Sequence, residues 1–300
     1  MKTPDDQLSE KYSIDAIDSF RINSKTFYFA SIFLGNSIAK EAARLYQFCR
    51  MIDDIADKTH DHSFAIKEIN LFKHDIQNNF STHPVISDLL DLIHDQKLDL
   101  EAIESLLTGI LSDLSKVRIQ NEDDLLEYCY KVAGTVGILM CPILGVKDSN
   151  AHSFAADLGI AMQLTNICRD IKEDAINNRI YIPRILINTD NSRLLIEAPD
   201  KSGVDARSAC AKLLELADKY YSRSEYGLAY LPIRSKICVL IAGRSYREIG
   251  NKLRVGNYVY WENRVFTSLP DKIWIAIKSI YSLFTNKHYW IFQDEYKCKL

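Results

Sequence analysis

The sequence predicts an all-α fold, and three observations predict it. Breakers are scarce: 300 residues hold 11 Gly and 7 Pro, the residues that punctuate regular structure most strongly. Apolar residues recur at helical spacing, and no strand-like alternation is sustained. No linker, low-complexity tract or solenoid-length repeat divides the chain. It therefore reads as one helical-bundle domain over 1–300, with 1–10 as a flexible tail. A hydrophobic content of 47% suffices for one large core or two smaller ones.

In order, the periodicity places helices at 11–20, 25–34, 38–58, 63–79, 84–95 and 100–117. The next, 122–146, is read as one helix although "VAGTVGILMCPILGV" carries Gly134, Gly137 and Pro142. Those two glycines stand near Ala133 about one turn apart, which suits close helix–helix packing. Helices at 151–176, 205–230, 234–255 and 269–285 complete the set. Between them 177–204 holds Pro183, Pro199 and Gly203 and reads as a surface loop. "KIWIAIKSIYSLF" in the last helix reads as a packed amphipathic helix, in preference to one resting on a membrane surface.

Composition excludes several classes. The net charge is −3, from 37 basic and 40 acidic residues, without the basic excess of a nucleic-acid binder. Seven cysteines, at 49, 129, 141, 168, 210, 238 and 298, form no CxxC pair and no cluster with zinc spacing. The polar opening "MKTPDDQLSEKY" lacks the apolar core of a signal peptide. Reduced thiols in a cytoplasmic protein are the expectation. No stretch reaches the ~18–20 apolar residues of a spanning helix.

"FCRMIDDIADK", residues 48–58, crowds Asp53, Asp54 and Asp57 into a segment that otherwise reads as buried. At about 100° per residue, Tyr46, Arg50, Asp53 and Asp57 share one narrow face, and Asp54 lies off it. "GIAMQLTNICRDIKEDAINNR", 159–179, repeats the pattern: Gln163, Asn166, Asp170 and Asp174 form a second oxygen-bearing stripe beside Ile160, Leu164, Ile167 and Ile171. Each like-charge i, i+4 pair costs roughly 0.2–0.5 kcal/mol on an isolated helix. A divalent cation reverses that sign, and hard oxygen ligands suit Mg²⁺, with its waters and substrate phosphates. One DxxxD on a helix is ordinarily a solvated face. Two copies, each extended by polar groups on the same face, point instead to a polar cavity inside the bundle. Arg50 and Arg169 beside the acids suit either salt-bridging or diphosphate binding.

The chain resembles the squalene/phytoene synthase family over most of its length. "SKTFYFASIFLG" (24–35) is similar to its N-terminal segment and "LYQFCRMIDDIAD" (45–57) to its first aspartate-rich motif. "YCYKVAGTVGILMCPILGV" (128–146) and "DLGIAMQLTNICRDIKEDAINNRIYIP" (157–183) resemble its two signature regions, and "AGRSYREIGNKLR" followed by "ENRVFTS" its C-terminal helix and turn. Bacterial phytoene synthases are the most similar members. Asn23 departs from members that carry His there.

The resemblance implies an all-α bundle of the class I isoprenoid synthase type, with a central cavity. It implies head-to-head joining of two allylic diphosphates through a cyclopropylcarbinyl diphosphate. Asp53, Asp57, Asp170, Asp174 and Asn166 would hold Mg²⁺, with Mn²⁺ as a substitute, and Gln163 would orient phosphate or a metal-bound water. Ser24, Lys25, Arg50, Arg169, Arg179 and Arg264 would bind substrate, the cations through diphosphate oxygens. Phe27, Tyr46, Tyr130, Tyr181 and Tyr246 match the family's aromatic positions, where faces stabilise a carbocation. Tyr46, Arg50 and Tyr246 join the four aspartates as catalytic candidates, and 177–204 is the expected lid. Gly134 and Gly137 would add room for an isoprenoid tail.

The leading expectation is phytoene formation from geranylgeranyl diphosphate in carotenoid biosynthesis, without a nicotinamide cofactor. The alternatives are dehydrosqualene, presqualene diphosphate or squalene synthesis from farnesyl diphosphate, and a non-catalytic helical assembly factor of the same fold. The expected partners are isoprenoid diphosphates, a membrane surface in peripheral contact, and upstream or downstream carotenoid enzymes. No nucleic acid is expected.

Overall fold

Short polar residues set just ahead of apolar periodic runs start most of the helices. The computed structural model describes residues 15–58, 61–115 and 117–292; the tail read at 1–10, the start of the helix read at 11–20, and Cys298 lie outside them. Asp15 caps α1 (Ala16–Asn23) and Ser24 caps α2 (Lys25–Ser31). The long α3 (Asn36–Lys58) follows. Asp61 caps α4 (His62–Gln77), a proline opens α5 (Pro84–Gln96), and Asp99 caps α6 (Leu100–Ser112). Asn121 caps α7 (Glu122–Cys129). Each cap satisfies backbone N–H groups that the helix itself leaves open, and is worth about 1 kcal/mol.

Several predicted helices are shorter or more broken than periodicity suggests. The helix expected at 100–117 stops at Ser112. That expected at 122–146 comes as α7, a π turn (Tyr130–Gly134) and α8 (Thr135–Ile143). The backbones cross too closely there for an ordinary packing distance. A Cβ on Gly159 would stand 2.1 Å from the Ala133 carbonyl oxygen, and one on Gly137 2.2 Å from that of Ala155. Only glycine fits such contacts. The helix expected at 151–176 breaks at Asp170 into α9 (Ala151–Arg169) and α10 (Ile171–Ile176).

The expected loop 177–204 holds α11 (Arg184–Ile187), a 3-10 turn (Ser192–Leu195) and α12 (Pro199–Ser202). It is stitched to the segment after α6. A β-bridge joins Arg118 and Ile180, the Arg184 N–H donates to Ile119 at 3.0 Å, and Arg118 pairs with Asp190 at 2.7 Å. Then come α13 (Ala206–Ser224), which ends in a 3-10 turn to Tyr230, α14 (Ile233–Val255) and α15 (Leu269–Thr285).

Apolar burial gathers into two main clusters. Leu45, Phe48, Ile52 and Ile55 of α3 anchor one, against α4, α5 and α6. Ile160, Leu164 and Ile167 of α9 anchor the other, against Leu213, Leu214 and Ala217 of α13. A buried Asp157–Arg223 ion pair also ties α9 to α13. Between the clusters α2, α3, α8, α9 and α14 enclose a cavity of about 810 Å³.

Candidate active site

Helix α3 supplies the first wall. Its unbroken pitch brings Tyr46, Cys49, Arg50 and Asp53 onto the cavity surface. Asp54 points the other way, only 1% exposed, and accepts the Arg50 Nη2–H at 2.6 Å. It thereby fixes the guanidinium that faces the cavity. Asp53 is enclosed by protein yet wetted by the cavity. Burial, and then the Asp57 charge, push its carboxyl up to about 7. Asp57, one turn on, receives Arg179 Nη1–H at 2.5 Å from the facing segment.

Helix α9 supplies the second wall, and Asp170 and Asp174 follow at its end, outside the residues that line the cavity. Gln163, Asn166 and Arg169 line the cavity. The Asn166 amide donates to Gln163 Oε1 at 3.3 Å, while its own Oδ1 is buried and accepts no hydrogen bond among the described residues. Asp170 stands in the helix break, clasped by Arg169 Nε at 2.8 Å and by Arg264 Nε at 2.9 Å. Burial acts to raise Asp170, but the two guanidiniums outweigh it and hold the carboxyl below the usual carboxylate range. Asp174 fares oppositely: burial and then the Asp170 charge push it up to about 8. Asp57 and Asp113 add to that rise, so both walls share one electrostatic site.

Asp113, just past α6, was not foreseen. Its carboxylate accepts the Tyr128 hydroxyl at 2.9 Å and the Tyr181 hydroxyl at 2.8 Å, and the two rings stack at 4.9 Å. Burial pushes it up to about 6 against those two hydrogen bonds. Tyr181 is therefore occupied in holding the segment that carries Arg179. Neither Tyr181 nor the 40%-exposed Tyr130 lines the cavity. The lone acid ending an apolar helix was the only sequence signal for Asp113.

Aromatic rings close the polar end. Phe27 stacks on Tyr246 at 5.2 Å, and Tyr46 packs on Phe20 at 4.8 Å. Ser24, Lys25 and Arg264 also line the cavity, though the Ser24 hydroxyl accepts the Phe27 N–H as the cap of α2. Lys272, a second unforeseen lining residue, is buried, and its ammonium pKa is lowered by burial and then by the neighbouring Lys25 charge. Val136, Met140, Leu158, Leu231 and Val239 wall the rest, which is apolar.

Mg²⁺ fits this donor set. Among the described residues no group of three His, Cys, Asp or Glu side chains converges to hold a metal alone. Mg²⁺ is commonly held by one or two carboxylates, with water and substrate phosphate completing its shell. The buried Asn166 oxygen and the raised carboxyls of Asp53 and Asp174 are the groups that such an ion would satisfy.

Comparisons with known proteins bear on the family and the fold. The squalene/phytoene synthase profile matches residues 20–271. A 15-cis-phytoene synthase of Enterobacter agglomerans is 31% identical over 274 residues, covering 85% of this chain and 90% of that protein. One of Pantoea ananas is 29% identical over 275 residues, covering 87% and 89%. A dehydrosqualene synthase crystallised with a ligand has the same fold, with a TM-score of 0.81 at 24% identity over 93% of this chain and 100% of the other. A profile match over residues 20–271 and relatives matched across most of their own length carry the conclusion: the chain belongs to the squalene/phytoene synthase family.

Proposed function

We propose that this chain, built as one isoprenoid synthase domain, is a Mg²⁺-dependent phytoene synthase joining two geranylgeranyl diphosphates head to head. The observation that carries the reading is the shape of the cavity: about 810 Å³, with acidic, amide and cationic side chains at one end and an apolar remainder. That volume lies within the roughly 300–1,000 Å³ range of ligand sites. The curated relatives named as phytoene synthases favour the twenty-carbon substrate.

Bound Mg²⁺ would neutralise the charge developing on the leaving diphosphate. The protein's own groups do the rest. Arg50, held by Asp54, and Arg169 and Arg264, gathered on Asp170, present guanidinium forks where the two walls meet. Lys25 and Lys272 add ammonium charge from α2 and α15. Phe27, Tyr46 and Tyr246 offer ring faces to an allylic cation, each worth about 0.5–2 kcal/mol. The apolar wall keeps out water that would trap that cation as an alcohol.

The test is incubation of the purified protein with Mg²⁺ and each diphosphate separately, without a nicotinamide cofactor. Phytoene from geranylgeranyl diphosphate is the expected product, with Mn²⁺ supporting turnover and a chelator abolishing it. Conversion of farnesyl but not geranylgeranyl diphosphate would overturn the substrate assignment.

A further inference from the structure

Helix α15 is amphipathic in the inverted sense. Its inward side is mostly small or polar. Lys272, Ala276, Ser279 and Leu283 are buried against α14. Arg244 donates to Ser282 at 2.9 Å, and Lys252 pairs with Asp271 at 2.5 Å. Its outward side is apolar. Ile273, Trp274 and Ile277 are exposed, Tyr281 is 68% exposed and Phe284 84%. The sequence predicts a packed amphipathic helix here, and the structure leaves its apolar stripe on the outside. At about 100° per residue these five residues, with Leu269, share one arc of under half a turn, and no charged residue falls within it. An apolar surface this continuous is unusual on a protein facing only water.

We propose that this face of α15 docks the protein flat on a lipid bilayer. Three observations favour lipid over a second copy of the chain. The face runs into the cavity rim: Phe266, just ahead of the helix, lines the cavity while 70% exposed, and Lys272 lines it from the first turn. Cations border the apolar arc, and the helix's single acid, Asp271, is already paired with Lys252. Lys278 lies 5.0 Å over the Trp274 ring at its edge, and Lys287 follows its C-terminal end. Such a lysine can rest its stem on apolar surface and send its ammonium to phosphate headgroups. The aromatics are of the interfacial kind, with Trp274 and Tyr281 on the helix and Trp290 beyond it. The turn bearing Trp290 is itself fixed, because Tyr289 takes a hydrogen bond from Arg244 at 2.8 Å and gives one to Glu225 at 2.6 Å. Among the described residues no helix is long and apolar enough to cross a membrane, so the contact is interfacial. Under the proposed function it would bring the cavity rim to the surface where long-chain substrates and products dissolve.

The test is flotation of the full chain with phosphatidylcholine–phosphatidylglycerol vesicles, without substrate, so its outcome is independent of the proposed activity. Wild type should float with the vesicles. A Trp274→Ser/Phe284→Ser variant should partition at least about tenfold less, since each change strips a large apolar side chain from the contact. Its turnover of detergent-dispersed substrate should stay unchanged. Brominated lipid should quench wild-type tryptophan fluorescence, which keeps the proposal testable should the variant fold poorly. Failure of wild type to float, or equal flotation of a folded variant, would overturn the proposal. So would a wild-type dimer in sedimentation equilibrium that the variant dissolves, because the face would then belong to a second copy.

Discussion

The two aspartate pairs share a spacing and differ in backbone. Asp53 and Asp57 stand on an unbroken helix, whereas Asp170 and Asp174 straddle a break where Asp170 takes φ −104 and ψ 14. The ladder survives the break, with Asp170 N–H to Asn166 at 2.8 Å and Asp174 N–H to Asp170 at 2.9 Å. The bent backbone leaves Asp170 open to Arg169 of its own helix and to Arg264 from beyond α14. On the straight helix Asp57 is matched from the facing segment instead, by Arg179. Each pair thus has one member matched by arginine and one, Asp53 or Asp174, whose carboxyl burial pushes up. Under the proposed function the DxxxD spacing would serve two tasks: one acid of each pair organises the cationic groups, and its neighbour would be left as a ligand for a metal.

Substitution should separate these tasks most sharply. Asp53→Asn and Asp170→Asn should each cost at least about 10³-fold in kcat, as removal of groups acting on transition-state charge does. Their effects on folding should oppose one another. Asp170→Asn takes the charge from between two guanidiniums and should destabilise the metal-free protein by about 1–3 kcal/mol. Asp53→Asn removes a disfavoured charge and should stabilise it, by less than about 1 kcal/mol because cavity water screens the site. Urea unfolding without metal reads both signs. Equal destabilisation by the two would erase the distinction between the pairs.

The first stripe was legible because nothing interrupts α3: a uniform pitch puts Tyr46, Arg50 and Asp53 on one surface, as the structure does. The second was legible in its residues but not in its shape, since periodicity carries no signal for the break at Asp170. Asp113 was hidden for a different reason. Its partners, Tyr128 and Tyr181, lie 15 and 68 residues along the chain, and only the fold brings the three together. The α15 face shows the deepest limit. Hydrophobic spacing identifies an amphipathic helix but not which side meets the protein, and there the side was set by Arg244 reaching Ser282 and by the burial of Lys272.

A smaller effect should appear with pH. The Asp174 carboxyl is raised to about 8 in the folded protein, against about 3.9 in an unfolded chain. Between those values the folded state binds more protons, so stability falls as pH rises from about 4 towards 8. Metal binding needs the deprotonated carboxylate, so Mg²⁺ affinity should climb with pH through the same upper range and then level. Melting temperatures measured with and without Mg²⁺ and inorganic pyrophosphate should show a larger ligand-induced rise at pH 8 than at pH 6. Asp174→Asn should shrink that difference, with Asp53, raised to about 7, carrying the remainder, whereas a change at Asp57, matched by Arg179, should leave more of it. A rise independent of pH would remove Asp174 as the unmatched member of its pair.

The smallest expected effect tests how Asp57 comes to be matched at all. Arg179 sits two residues before Tyr181, whose hydroxyl is anchored on Asp113. Tyr181→Phe removes that anchor, freeing the segment to carry Arg179 away from Asp57, while keeping the ring stacked on Tyr128. A several-fold fall in kcat with a raised Mg²⁺ requirement is expected, at a stability cost of about 1 kcal/mol for one lost hydrogen bond. Tyr128→Phe removes a bond to the same carboxylate, but from α7, which does not carry Arg179. It should cost similar stability and leave the Mg²⁺ requirement near wild type. Titrating Mg²⁺ against turnover in the two variants separates a positioning role from a merely structural one. Equal Mg²⁺ curves would show that Asp113 stabilises the fold without aligning the facing arginine.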